Sequence, residues 1–502
     1  MVLIWDMAET KYIFITQSEG ASCVKGVMAA SIAALIQSCS YSVTVKKLNA
    51  CLNVETDGRG ELFVTADGCE TDMELGRYER FTGVETSGAN LITAGRVYQN
   101  VINRERRGDY HGETVRVIPH VTDEIKRCVS VATNSGKSDF VVVELGGVIG
   151  EIETLPFVEA LRQMKNDSED GCVWIHMAGE CEVQGVQPDI MIVPTDLDDA
   201  DNEKVFQLRN DVATIYEMPL LLHDVAEMVQ RKAGMEEIRI PRQEEWKTLV
   251  QRIKEATETV TIGIVGADGE NDEAYCSLKE SLLCAAAHQG RKLDLCHIDA
   301  AYLHEGNVDE MLGLLDGVVI APDRCRQGFE GKMVAAKWCR MHDVTTLGIA
   351  EGMHCMVIEY ARNILGLQEA NSTEIEARTP HNVIDMMTEQ KSRVGMWGVK
   401  RMGAGRTNLK EDSVIARAYG AEMIQERHCH SFELNNGYCN ALEEVGMICV
   451  GINPESALVD AVEVKANAWY VGVQFRTEFN GTAFNPNPLL MDFVREIKSK
   501  KK

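Results

Sequence analysis

The chain has 502 residues, too many for one hydrophobic core, so two domains are expected, each able to bury its core without staples. The composition is that of a globular protein, 45% apolar and 25% charged, and a formal net charge of −26 excludes tight binding to the phosphate backbone of nucleic acid. Its 16 cysteines lie singly, without a CxxC pair, which reads as free thiols in a reducing compartment. There is no secretory leader and no apolar run of membrane-spanning length, so a cytoplasmic protein with no membrane contact is expected. The tail Lys498-Ser499-Lys500-Lys501-Lys502 reads as a solvated end.

In chain order, residues 11–16 read as a buried parallel strand, followed by a glycine-containing turn, an Ala-rich helix over 24–37 and a second strand over 41–48. This is a βαβ opening, which calls for a right-handed crossover and a parallel sheet. Residues 140–144, 173–177 and 189–193 supply further buried strands separated by helical segments, so the first half is a doubly wound α/β domain. Residues 225–258 are charged and helical in pattern, with Pro241 interrupting, and are read as the connection. The domains are therefore drawn as 1–240 and 259–502, joined by a linker over 241–258. The second half repeats the α/β grammar, with strands at 260–266, 317–321, 345–349, 447–450 and 471–475 and an amphipathic helix over 273–288.

Residues 345–352 read Thr-Thr-Leu-Gly-Ile-Ala-Glu-Gly, a strand, a sharp turn and a helix start. That is the shape of a nucleophile elbow, which pushes a Cys or Ser side chain into a cleft at a helix N-terminus. The tip here is Ala350, whose methyl group cannot attack a carbonyl.

Several runs carry a resemblance across both halves. They are Lys25-Gly26, the run from Asp67-Gly68-Cys69-Glu70-Thr71-Asp72 through Tyr78-Glu79-Arg80-Phe81, Glu105-Arg106-Arg107-Gly108-Asp109-Tyr110, Val117-Ile118-Pro119-His120 and Glu144-Leu145-Gly146-Gly147. Gly150-Glu151-Ile152-Glu153, Ala370-Asn371-Ser372-Thr373-Glu374, Glu426-Arg427-His428 and Gln474-Phe475 with Glu478-Phe479 continue it. Together they resemble CTP synthase over nearly the whole chain. The resemblance implies an N-terminal, P-loop-like amidoligase domain and a C-terminal class I glutamine-amidotransferase-like domain.

It also implies where the chemistry belongs. The family's Cys-His-Glu triad falls on Ala350, Arg476 and Glu478, so only the carboxylate remains, and an arginine with a pKa above about 12 is no base near neutrality. The glycine-rich oxyanion loop is replaced by Pro322-Asp323-Arg324-Cys325-Arg326-Gln327-Gly328, in which Asp323 sets a negative charge where one would develop. Glu478 is expected to pair with Arg476 or another cation as a structural ion pair. Cys355, more than a helical turn past Ala350, reads as a buried thiol, and Cys325 has no paired histidine. His428 and His430 share one face of a strand, too few ligands for a metal centre.

In the ligase half the resemblance assigns Lys25, Gly26 and Lys47 to nucleotide, Glu74 and Glu144 to magnesium, and Glu151, Ile152 and Glu153 to sensing of CTP. The phosphate cradle has lost glycines and gained Glu19. Without phosphate the acid pair is expected to be protonated or bridged by a lysine. The loop at 55–59 and the segment at 178–187 are shortened relative to the family, and Pro194 and Leu197 replace nucleotide-gripping arginines.

The expectation is a CTP synthase-like pseudoenzyme acting by assembly through retained surfaces such as residues 106–119. It is expected as a homo-oligomer, a hetero-oligomer with an active CTP synthase, or part of a larger assembly, including filaments. No cofactor is expected, a Mg-nucleotide being the one candidate. The competing expectations are ammonia-dependent CTP formation from UTP and ATP, and nucleotide sensing without turnover.

Overall fold

The structure is a computed structural model and describes residues 10–19, 25–54, 61–131, 136–168, 171–178, 187–194, 205–208, 212–267, 275–323, 328–386 and 400–498. The cradle positions 20–24, the loop 55–59, residues 179–186, Leu197, Cys325 and the side chain of Pro194 lie outside that set. The chain divides into two units, Met1–Asp57 with Glu70–Val250, and Gly58–Cys69 with Gln251–Lys502. The division falls inside the helix Glu244–Glu255, so the expected linker over 241–258 is not a free connection. Trp246 explains why: its ring is buried 5.2 Å from Phe81 and 6.3 Å from Tyr216 in the first unit.

The strands of the first half are β1 (Lys11–Gln17), β2 (Val43–Asn49), the short β3 (Leu62–Val64) and β4 (Glu70–Asp72), and β5 (Leu91–Thr93). They continue with β6 (Phe140–Leu145), β7 (Cys172–Met177), β8 (Ile190–Pro194) and β9 (Val205–Leu208). Seven of them form the sheet of the first unit in the order β5-β2-β6-β1-β7-β8-β9. Every neighbouring pair is parallel. All six residues of β6 are buried, as expected of a strand covered on both faces. The helix Lys25–Ser38 is buried from Gly26 to Ile36, which accounts for its apolar character all round. β1 connects toward β2 and β7 toward β8, in opposite directions across the sheet. That reversal opens a crevice at the carboxyl ends of β1 and β7.

The second unit has β10 (Glu258–Gly266), β11 (Arg291–Asp299), β12 (Gly317–Ile320), β13 (Thr345–Ile349), β14 (Ala370–Ser372), β15 (His381–Met386) and β16 (Arg401–Leu409). It continues with β17 (Met423–His430), β18 (Phe432–Leu434), β19 (Met447–Ile452), β20 (Val459–Val464) and β21 (Tyr470–Val473). Nine of these form one sheet, β11-β10-β12-β13-β21-β20-β19-β16-β17. The β11-to-β21 portion is parallel and the remainder antiparallel. Apolar cores lie on both faces, one around Ile320, Met353 and Tyr470, the other around Val319, Leu347 and Phe493. β21 stops at Val473, before the expected 475, because the chain turns there to present Arg476 and Glu478.

Candidate functional site

The end of β13 carries the elbow. Ala350 sits at φ 51°, ψ −109°, a left-handed conformation that a side chain rarely adopts, and the helix Glu351–Asn363 starts directly after it. Its neighbours permit the turn because they lack side chains. A Cβ on Gly352 would lie 2.1 Å from the Ile320 carbonyl oxygen, and one on Gly348 would lie 2.2 Å from Met356 Sδ. The Ala350 N–H donates to the Val473 carbonyl at 2.7 Å, which ties the tip to β21. The backbone of a nucleophile elbow is thus complete and its reactive atom is absent.

Arg476 follows β21 and faces the carboxylates beside the elbow. Its Nε donates to Glu478 Oε1 at 2.5 Å, and its Nη2 lies 3.5 Å from Glu61 Oε1. The guanidinium also stacks 4.3 Å from the Phe479 ring centroid. Glu478 is 1% exposed. Glu61 is fixed from its other oxygen by the Ser277 N–H at 2.7 Å, and burial pushes its carboxyl above the usual range. The expected Arg476–Glu478 pairing is therefore present, with Glu61 as a second acid.

A second charge cluster fills the other side of the turn. Lys332 Nζ, fully buried, lies 2.5 Å from Asp323 Oδ2, 2.7 Å from Glu351 Oε1 and 2.9 Å from the Ala321 carbonyl. Tyr275 OH donates to Asp323 Oδ1, and the Ala267 N–H donates to Asp323 Oδ2 at 2.9 Å. Asp323 is thus consumed by internal donors. Burial drives Glu351 up to about 7 against the pull of Lys332. Sequence reasoning missed Lys332 and Glu351. The available signal was a lysine on the apolar stripe of the helix Phe329–Met341, beside Phe329, Met333 and Ala336.

Cys355 is fully buried in the elbow helix, and burial holds its thiol well above the ordinary value, so it offers no thiolate. His428 and His430 share a face, with Nδ1 and Nε2 3.0 Å apart. They join Arg401, Glu433 and Asp460 in a buried network. Among the described residues no group of three metal-ligating side chains is assembled.

In the first unit, Lys47, Asp72, Glu74 and Glu144 converge at the carboxyl end of the sheet. Lys47 Nζ lies 2.9 Å from both Asp72 Oδ2 and Glu74 Oε2. Burial alone would pull its ammonium down, but Glu74, Asp72 and Glu144 hold it well above the usual range. Glu144 accepts a hydrogen bond from Tyr78 OH. Gly26 is required here, since its Cβ would lie 2.5 Å from Glu74 Cγ. The lysine-bridged arrangement expected for Glu74 is present, but the bridged partner is Asp72 rather than Glu144. A divalent cation at these oxygens would have to displace the Lys47 ammonium. Lys25 Nζ donates to the Gly147 carbonyl at 2.6 Å, and burial lowers its pKa. Glu151 Oε2 accepts from the Val148 N–H at 2.9 Å, while Ile152 is 80% exposed. Glu153 lies in the same turn, and Glu19 is exposed.

One polar group in the crevice between β1 and β7 escaped the sequence reading. Trp174 Nε1 donates to Thr16 Oγ1 at 2.8 Å, and Thr16 Oγ1 shares a hydrogen bond with His176 Nδ1 at 2.9 Å. His176 Nε2 is buried and, among the described residues, has no hydrogen-bond partner. Burial lowers the His176 pKa to about 4, in keeping with the neutral ring.

These two sites sit in the two parts that known families describe. Residues 11–196 match the CTP synthase N-terminus, and residues 272–496 match glutamine amidotransferase class-I. A CTP synthase of Porphyromonas gingivalis is 45% identical over 536 residues, covering 99% of this chain and 99% of that protein. One of Bacteroides fragilis is 43% identical, covering 97% of this chain and 99% of that protein. The chain belongs to the CTP synthase family. Among solved structures, the Trypanosoma brucei CTPS glutaminase domain with bound acivicin is 28% identical. It covers 47% of this chain and 92% of that chain, with a TM-score of 0.44. Within the CTP synthase family, then, this chain is an α/β protein with an N-terminal synthase domain and a C-terminal class I glutamine amidotransferase domain. No described helix is long and apolar enough to cross a membrane.

Proposed function

We propose that this member of the CTP synthase family is a pseudoenzyme that hydrolyses no glutamine, forms no CTP and acts by assembly with other subunits. The observation that carries this reading is the buried Arg476–Glu478 ion pair beside an elbow tipped by Ala350. The tip residue Ala350 is no nucleophile, Arg476 is no base near neutrality, and the Glu478 carboxylate is engaged by that cation. The Lys332 cluster adds to this by packing charge against the turn, and Lys47 adds to it by occupying the space among Asp72 and Glu74. Support for assembly comes from apolar side chains that the first unit exposes. Tyr98 and Ile102 stand on the helix Ala94–Arg107, Val117 and Ile118 follow it, and Leu155 starts the helix Leu155–Asp167.

The test is an assay of the purified chain with ATP, UTP, magnesium and either glutamine or ammonium chloride, following CTP and glutamate, with A350C as a companion. Neither product is expected from either protein, and the chain is expected to elute as an oligomer alone or with an active CTP synthase. CTP from ammonia would establish the ammonia-dependent ligase instead, and a monomer under all conditions would remove the assembly role.

A second reading, nucleotide binding without turnover, is favoured by His176 Nε2, buried and without a hydrogen-bond partner among the described residues, at a crevice position where parallel α/β sheets take ligands. Calorimetry with ATP, UTP and CTP, each with and without magnesium, tests it. Binding of one nucleotide that H176F weakens supports this reading, and no heat from any at millimolar concentration ends it.

A further inference from the structure

We propose that Arg401, His428, His430 and Glu433 form a one-way relay of N–H donors that latches two sheets of the second unit together and opens when either imidazole takes up a proton. Arg401 begins β16, His428 and His430 close β17, and Glu433 lies in β18. β17 is the last strand of the nine-stranded sheet, while β18 belongs to the three-stranded sheet β14-β15-β18. Arg401 Nη2 lies 3.3 Å from His428 Nε2, His428 Nδ1 lies 3.0 Å from His430 Nε2, and His430 Nδ1 lies 3.4 Å from Glu433 Oε1. A guanidinium only donates, so His428 Nε2 accepts. The single proton of the neutral His428 ring is then on Nδ1 and is donated to His430 Nε2. The His430 proton is in turn on Nδ1, the nitrogen that faces Glu433. That last contact is electrostatic, since neither His430 Nδ1 nor the Glu433 oxygens make a hydrogen bond among the described residues. The start of the relay is fixed. Asp460 takes Arg401 Nη1 at 2.7 Å and Nη2 at 3.2 Å, and a Cβ on Gly405 would lie 2.8 Å from His428 Cδ2 and 3.2 Å from Arg401 Nη2.

In this order every ring nitrogen is committed. A second proton on His428 goes to Nε2 and sets an N–H against the Arg401 guanidinium. One on His430 also goes to Nε2 and sets an N–H against that of His428. Either way a hydrogen bond becomes a contact between two donors, with little water to screen it, since the two rings are 0% and 8% exposed. The groups around the rings come from every packed element: Arg401 on β16, Glu433 on β18 with Asp385 opposite it on β15, Asp460 on β20, and His354 on the elbow helix, whose Nε2 lies 2.9 Å from Gln474 Oε1. Arg401 and the neighbouring imidazole oppose a proton on either ring, Glu433 favours one on His430, and Asp460 is engaged by Arg401. In keeping with this, burial, with Arg401 beside both rings and His428 beside His430, holds both imidazoles well below the usual histidine range. The relay is therefore closed near neutral pH and opens in acid.

The test is amide hydrogen exchange of the full chain, read by mass spectrometry at about pH 7 and about pH 4.5 and corrected for the pH dependence of free amides. Peptides over 401–409 and 423–434 are expected to exchange about five times faster or more at the lower pH, while those over the elbow strand and helix, 345–363, keep their protection. The acceleration is expected to persist in E433Q and to be lost in the double variant H428Q/H430Q. Nitrogen-15 spectra of the histidine rings near neutral pH report the direction of the relay. The signals lost in H428Q and in H430Q are expected to be those of rings protonated on Nδ1, and a ring protonated on Nε2 at either position overturns the proposal. Equal protection of the relay strands at the two pH values also overturns it, as does acceleration shared by 345–363, which reports general acid unfolding. Loss of the effect in E433Q would put the trigger on the carboxylate and overturn it too. The comparison of the unmutated chain at two pH values needs no variant to fold.

Discussion

Arg476 and Glu478, two residues apart, close a buried ion pair whose Nε-to-Oε1 distance is 2.5 Å, just past the end of β21. The pair is not symmetrical. Arg476 has a second carboxylate in Glu61 at 3.5 Å, whereas Glu478 Oε2 is buried without a hydrogen-bond partner. Removing Glu478 therefore leaves a guanidinium that is only partly compensated. E478A is expected to lose about 2–3 kcal/mol of stability, below the full cost of orphaning a buried charge because Glu61 remains. Urea denaturation followed by Trp fluorescence measures this. A loss under about 0.5 kcal/mol would show that the pair is not the electrostatic anchor of this turn.

Lys332 is held by two acids and a carbonyl with no exposure to solvent, so its loss should cost more. K332M is expected to destabilise the second unit by about 3–5 kcal/mol, since Asp323 and Glu351 then face each other unneutralised. The triple variant D323N/K332M/E351Q should recover most of that loss, because the same volume is refilled without charge. Thermal unfolding of the parent, K332M and the triple variant decides this. A triple variant as unstable as K332M would mean that packing rather than charge is at stake.

Glu433 makes stability depend on pH. Burial, aided by Asp460 and opposed by Arg401, pushes its carboxyl up to about 8. Arg401 Nη1 at 3.6 Å and His430 Nδ1 at 3.4 Å face it from the neighbouring strands. The folded state keeps a proton that the unfolded chain has released above about pH 4.3, so this contribution falls as pH rises toward about 8. His428 and His430 are both held low by burial, so their contribution is lost only on acidification below about pH 6.5. Burial also raises the Asp460 carboxyl in this network, and it acts in the same direction as Glu433. E433Q is expected to flatten the stability profile in part between about pH 6.5 and 8, as measured by denaturant midpoints at several pH values. An unchanged slope would place the dependence elsewhere.

Lys47 occupies the gap between Asp72 and Glu74, and so competes with any divalent cation for the same oxygens. K47M should leave the acids Asp72, Glu74 and Glu144 unneutralised and lower the melting temperature in chelator. Added magnesium should then raise it by several degrees, while the parent chain responds by less than one. Equal responses in both proteins would show that the lysine does not guard the acids.

Much of this was legible in the sequence, and the remainder has physical reasons. The parallel strands announced themselves as short apolar runs, and the elbow as a strand ending in Gly-Ile-Ala-Glu-Gly, because sterics at Gly348 and Gly352 dictate those residues. The Arg476–Glu478 pair was foreseeable only through the family resemblance, which set a cation beside the remaining carboxylate. The Lys332 cluster was not, since Asp323, Lys332 and Glu351 come from three separate segments and meet only when β12 and β13 align. His176 likewise looks like an ordinary strand residue until β1 and β7 are in register and Thr16 claims its Nδ1. The antiparallel half of the second sheet was mostly invisible, because β16 and β17 carry glycines and charges in place of apolar runs. Long-range pairing, rather than local pattern, makes them strands.

The bend at Ala350 bears on how this chain could be altered. The main-chain turn is already shaped to hold a side chain up at the start of a helix, and what it holds is a methyl group. Arming it would ask for sulfur at the tip, an imidazole in place of the Arg476 guanidinium, and a different sequence over 322–328. The main chain at the tip itself would need no rebuilding.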